Sequence, residues 1–296
     1  HYLQIIILLV RCQIVLCELV YENKFFDEVS NGTTGRSIAE LLYDAPFRLS
    51  YKARGIVSDD FAIYYEYYYR ILKNYKLVAT SREFSNIMGS RYGINPNKVD
   101  YFGIAVANID DRNSESIYII NRGTDTYLNA VSDIRMVVQH AIPLNTTVFS
   151  MQAGIHFAEY LLQANMRIKN IGFSGHSLGG SIAQAQVMYF SSMRVKLCKS
   201  ITFEAFGVKA SVDGVLNFDC VKNTHGVNVV LSCPAELVSN VMKIVTIPLT
   251  FLIDSKLERT IKSNYNTHYT DIQNSLTNYI REGDIVSNIA SLVGVT

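Results

Sequence analysis

The chain has 296 residues, of which 49% are hydrophobic and 18% charged, with a formal net charge of +1. That length and apolar content suffice for one large core, and the near-neutral balance gives no electrostatic footprint for nucleic acid. The five cysteines (Cys12, Cys17, Cys198, Cys220, Cys233) form neither zinc-type spacing nor a dense disulfide framework; with no phosphate-binding glycine loop and no repeat, no metal or nucleotide cofactor is implied.

Leu3 to Val20 is strongly apolar, but Arg11, Gln13 and Glu18 interrupt it and argue against a membrane span. Residues 1–20 therefore read either as a buried helix or as the remnant of a signal peptide, ahead of one domain over 21–296. The triplets Asn31-Gly32-Thr33 and Asn145-Thr146-Thr147 are glycosylation sequons, of consequence only in a secreted or cell-surface setting. Asp60 to Tyr75 predicts a tyrosine-rich helix with Phe61, Tyr64, Tyr68 and Leu72 on one core-facing side. Tyr101 to Ala107 and Ser116 to Ile120 are β-branched and aromatic runs around a polar turn, Asp110 to Glu115, and predict a hairpin. A polar loop, Asn121-Arg122-Gly123-Thr124-Asp125-Thr126, follows, and a helix is expected over Met151 to Gln163.

The next stretch carries the chemistry. Gly172-Phe173-Ser174-Gly175-His176-Ser177-Leu178-Gly179-Gly180 sets one serine between two glycines, after the apolar lead-in Ile168, Ile171 and Phe173 and before a helix-forming run, Ser181 to Phe190. This is the nucleophile-elbow pattern: a sharp strand-to-helix turn strains the serine backbone, and Gly175 and Gly179 stand where a side chain would obstruct the turn. Ser177 is the candidate nucleophile; a glycine-rich turn with a solvent-facing serine is the bland alternative. An attacking serine needs donors for the developing oxyanion. The Leu178 amide, at the start of the helix, is one, favoured by the helix dipole. The second is expected on an upstream loop, where Thr124 is the candidate against a turn threonine bonding its own backbone.

Arg122-Gly123-Thr124 followed by Gly175-His176-Ser177-Leu178-Gly179-Gly180, in that order and separation, resembles the class 3 (fungal-type) lipase family of α/β-hydrolases. The resemblance runs over roughly Tyr101 to Val286, most of its specificity lying in these two motifs. It implies an α/β fold, a mostly parallel sheet flanked by helices, with Thr124 in the oxyanion hole and Asp133, nine residues on, holding the Thr124 hydroxyl. Asp133 is otherwise a solvated helix-face carboxylate. Ile201 to Gly207 is similar to the strand that follows the nucleophile helix in the family.

A triad also needs an acid and a histidine, in the chain order serine, acid, histidine. Leu276 to Ile280 predicts a strand, and Asp284 in the following loop resembles the family's strand-end Asp-x-Val motif; Asp213, Asp219, Asp254 and Asp271 follow no comparable strand. No histidine follows Asp284. His225 and His268 stand in the wrong order, His140 and His156 precede the nucleophile, and His176 is expected to pack beside the turn. With His1 in place of a starting methionine, a fragment is expected, truncated at its carboxyl end, the alternative being a relative that binds lipid or protein without catalysis.

Between Val208 and Ser275 the family match weakens, and this segment reads as an insertion. Pro234 and Pro248 divide its apolar run, Val227 to Ile253. Leu237, Val238, Val241, Met242 and Val245 share one helical face, which reads either as a lid over a lipid site or as an ordinary core-facing helix. The function expected from the resemblance is a serine ester hydrolase acting on triacylglycerol, phospholipid or a small ester, without cofactor, in transient contact with a lipid interface, in a secreted or membrane-surface setting.

Overall fold

The computed structural model describes residues 2–21, 35–42, 69–84, 87, 101–123, 144–205 and 255–280. Its elements in chain order are α1 (Tyr2–Leu19), α2 (Ile38–Leu42), β1 (Tyr75–Thr80), β2 (Gly103–Asn108), β3 (Ser116–Asn121), α3 (Leu144–Ala164), β4 (Asn170–His176), α4 (Leu178–Phe190), β5 (Lys196–Leu197), β6 (Ser200–Phe203), α5 (Ser255–Thr267), α6 (Tyr269–Ser275) and β7 (Leu276–Tyr279). They build one mixed sheet in the order β1-β2-β3-β4-β6-β7, with β5 beside β4. β1 and β2 pair antiparallel, as do β2 and β3, while β3, β4, β6 and β7 run parallel. Helices cover both faces, as expected of an α/β-hydrolase sheet.

Strand periodicity sorts the side chains between two cores. Ile104, Val106 and Ile120 face a core shared with α1 and α2, together with Leu16, Val20, Ile38 and Leu41. Ala105, Ala107, Ile117, Ile119, Ile171 and Phe173 face the opposite core, shared with Phe157 of α3, Val187 and Phe190 of α4, Leu257 of α5 and Ile272 of α6. Near-continuous burial along β2 and β4 follows from being covered on both sides. The small residues of β4 face α1: Ser174 Oγ donates to the Ile201 carbonyl at 2.6 Å, which leaves its oxygen to accept the Cys17 thiol at 3.4 Å. No helix among the described residues is long and apolar enough to cross a membrane.

The predicted hairpin is β2–β3, with Asp111 in its turn. Three predicted boundaries change. The helix expected over Asp60 to Tyr75 falls largely outside the described residues, and Tyr75 opens β1, where a register shift between Leu77 and Ala79 sends them into opposite cores and pairing with β2 outweighs local pattern. The strand expected over Ile201 to Gly207 stops at Phe203, because Glu204 turns to positive φ. The helix expected over Met151 to Gln163 begins earlier, through Asn145-Thr146-Thr147, whose low propensity hid it. The end of the segment read as an insertion forms α5 and α6, seated through Leu257 and Ile272 in the α4-side core. The candidate lid face from Leu237 to Val245 lies outside the described residues.

The Asp111 carboxylate accepts the Ser116 amide at 2.8 Å and so ties the hairpin turn. Burial opposes its charge, but the amides of Ser116, Glu115 and Asn113 and the nearby Lys76 ammonium together hold its pKa below the ordinary 3.8. Asp111→Ala is expected to cost about 1 kcal/mol in urea unfolding. Because the folded-state pKa is the lower one, the full difference from wild type persists above about pH 5 and is lost as pH falls through the folded value.

Candidate active site

The parallel strands end together along one edge of the sheet, the edge at which sheets of this class place their sites. Asn121 pairs with Gly175, His176 with Phe203, and Phe203 with Tyr279. Three turns therefore leave the sheet side by side: Arg122-Gly123 after β3, Ser177 after β4 and Glu204 after β6. The chain leaves β7 in the same row, at Tyr279.

Ser177 has φ 54° and ψ −125°, a conformation costing about 1–3 kcal/mol in a residue with a side chain. Its neighbours lock it there. The Ser177 amide donates to the Phe203 carbonyl at 3.0 Å, and its carbonyl accepts the amides of Gly180 at 2.9 Å and Ser181 at 3.2 Å. A Cβ on Gly175 would overlap the Gly179 carbonyl group; one on Gly179 would overlap the Asn121 carbonyl; one on Gly180 would lie 2.6 Å from Ala205 Cβ. Those glycines let α4 start directly over the ends of β3 and β4. Although Ser177 is the N-cap residue of α4, its side chain makes no capping hydrogen bond, so the hydroxyl is not consumed in closing its own helix. Leu178 is the first helical residue, and its amide has no intrahelical acceptor.

The loop after β3 lies against this turn. A Cβ on Gly123 would meet the His176 carbonyl at 2.7 Å and Ser177 Cβ at 3.4 Å, so glycine allows the two turns to touch. The loop is anchored from behind. The Asn121 amide donates to the Ser174 carbonyl at 3.1 Å and to Gln186 Oε1 at 2.7 Å, and its oxygen accepts the Tyr101 hydroxyl at 2.9 Å. Gln186 in turn donates to the Gly154 carbonyl at 2.8 Å. The Arg122 guanidinium lies 5.3 Å from the centre of the Phe102 ring. Thr124, Asp133 and Asp284 lie outside the described residues. So do His140 and His225.

His176 packs beside the elbow, its ring held on both sides. Nδ1 is 3.1 Å from the Tyr21 hydroxyl and Nε2 is 3.3 Å from Glu204 Oε2. A carboxylate oxygen accepts, so Nε2–H faces Glu204, while Nδ1 shares a hydrogen bond with the Tyr21 hydroxyl. His156 bonds Glu159 at 2.8 Å, and His268 lies 3.9 Å from Asp271. Among the described residues no histidine is hydrogen-bonded to the Ser177 hydroxyl.

Sequence reasoning missed Tyr21, Asn121, Gln186 and Glu204. Each meets the site through a partner distant in sequence. Only Glu204 carries a local signal, a charge at the end of a buried run.

No family model matches the chain, and no curated protein matches it. Among solved structures it is similar to lipase II from Rhizopus niveus, at 15% identity and a TM-score of 0.33. The match covers 70% of this chain and 64% of that lipase, so the chain spans less than two thirds of the length of the structure it resembles.

Proposed function

We propose that the chain is a serine ester hydrolase of lipase type, acting through an acyl-enzyme. The observation that carries this reading is the backbone of Ser177, strained at φ 54° between a parallel strand and the helix that follows it, with its hydroxyl unused as a cap. Strain of this kind persists only where surrounding packing enforces it, and here it presents the hydroxyl at the strand edge beside two candidate donor segments.

In the proposed cycle Ser177 Oγ attacks the ester carbonyl carbon, and the alcohol leaves with a proton. Water then attacks the acyl carbon and releases the acid, regenerating the serine. The Leu178 amide and Thr124 hold the oxyanion, with Asp133 fixing the Thr124 hydroxyl. Gly123 supports the Thr124 assignment: it touches Ser177, and Thr124 is the next residue along the chain. Asp284, five residues beyond the end of β7, is the acid of the proposed triad, whose histidine, the group that takes the serine proton, does not follow it in these 296 residues. The substrate class proposed is a carboxylic ester of a lipid, triacylglycerol or phospholipid, met at a lipid interface.

The test is hydrolysis of a short-chain nitrophenyl ester by wild type and Ser177→Ala. Wild type is expected to turn over faster than Ser177→Ala, by about 10^4-fold or more in kcat where a triad histidine serves Ser177. Equal rates would remove the nucleophile assignment and favour a relative that binds lipid or protein without catalysis.

A further inference from the structure

Glu204 follows β6 with φ 46°, a left-handed conformation that glycine takes without penalty and glutamate does not. Its amide donates to the Tyr279 carbonyl at 2.8 Å, which fixes this turn at the strand edge, one residue beyond the carbonyl that accepts the Ser177 amide. The side chain is about four-fifths buried and reaches His176 Nε2 at 3.3 Å. His176 passes the constraint on through Nδ1 to the Tyr21 hydroxyl. A Cβ on Gly123 would lie 2.5 Å from that hydroxyl and 3.4 Å from Ser177 Cβ, so Tyr21 bears on the glycine that separates it from the nucleophile. The chain of contacts runs from β6, through the residue preceding Ser177, to the first turn after α1, and ends on the loop after β3.

We propose that Glu204 is a positioning residue for the candidate active site: through His176 it holds the Tyr21 hydroxyl against Gly123, and so fixes the loop after β3 relative to Ser177. The proposal deepens the ester-hydrolase reading and rests on it for its catalytic consequence. A loop that supplies an oxyanion donor must be held to a fraction of an ångström, and a strained, partly buried carboxylate that reaches it through two other side chains is a means of doing so. An imidazole held at both ring nitrogens transmits position better than one free to rotate.

The 296-residue chain is compared with Glu204→Gly and Glu204→Gln. Glycine accepts φ 46°, so Glu204→Gly deletes the carboxylate without adding backbone strain; glutamine restores an acceptor for Nε2–H. Glu204→Gly is expected to lower kcat on a nitrophenyl ester by about ten- to a hundredfold, with KM within about twofold and the melting temperature at or above wild type. Its His176 ring 15N shifts should leave the Nε2–H pattern, and amide exchange at Gly123 should accelerate. Glu204→Gln should recover most of each change, as loss of mere packing would not. Wild-type His176 shifts and Gly123 exchange in Glu204→Gly overturn the proposal. A wild-type kcat in that variant overturns it too, wherever wild type outpaces Ser177→Ala. If wild type and Ser177→Ala turn over equally, the hydrolase reading falls instead, and the 15N and exchange measurements, which need no turnover, still decide whether Glu204 positions the loop.

Discussion

Gly179→Ala is expected to destabilise the fold by more than about 3 kcal/mol, reversing the usual sign of glycine-to-alanine replacement within a helix, which gains about 1 kcal/mol. The reversal has a local cause. The added methyl would overlap the carbonyl of Asn121 and lie 2.8 Å from the Arg122 carbonyl carbon. Both are backbone atoms held by the sheet, so neither can move aside as a side-chain end would. To relieve the overlap α4 must lift from the end of β3, and its buried face, which includes Val187 and Phe190, then loses contact with the core. A fall in melting temperature of roughly 10 °C is the expected reading. Gly175→Ala should behave similarly, since its methyl would overlap the Gly179 carbonyl group across the same gap. The two costs should not add, because one displacement of α4 relieves both. A wild-type melting temperature for Gly179→Ala would mean that α4 does not sit on β3 as described.

The elbow was legible from sequence because its determinants are local: glycines at fixed offsets, an apolar strand before and a Gly/Pro-free run after, all within Ile168 to Phe190. The β2–β3 hairpin was legible for the same reason. What sequence could not show is the surroundings of the elbow, since the Tyr21–His176 contact spans 155 residues, Asn121–Gln186 spans 65 and His176–Glu204 spans 28. β1 was hidden by the tyrosine pattern before it, and gains its strand character from pairing with β2. α5 was hidden by polarity: it offers Leu257 and Asn264 as its buried residues, and Asn264 is held by the carbonyls of Met188 and Tyr189 at the end of α4. Its apolar stripe, Leu257, Ile261 and Tyr265 at four-residue spacing, is narrow and set in an otherwise polar run, within a segment read whole as an insertion.

Asn121→Leu is expected to cost about 3–5 kcal/mol, although leucine has the same branched side-chain skeleton as asparagine and the site is fully buried. Filling the space leaves three groups stranded: the Ser174 carbonyl, Gln186 Oε1 and the Tyr101 hydroxyl all lose the partner that Asn121 supplies. Tyr101 cannot escape by ionising, because burial pushes its pKa up, so it remains a donor without an acceptor. Gln186→Leu alone should also destabilise, since it leaves one N–H of the Asn121 amide and the Gly154 carbonyl without the partner that Gln186 supplies. Removing both amides together should cost less than the two single changes summed, by about 1–2 kcal/mol, because the bond between them is then absent from both sides. Chemical denaturation of the four proteins in this cycle measures that coupling. Strict additivity would show that Asn121 and Gln186 are buried independently, and that the loop bearing Arg122 and Gly123 is not anchored to α4 through their amides. Coupling of the expected size would tie the placement of Gly123 against Ser177 to a buried polar network between β3 and α4, so that Asn121→Leu should lower kcat per folded molecule as well as stability.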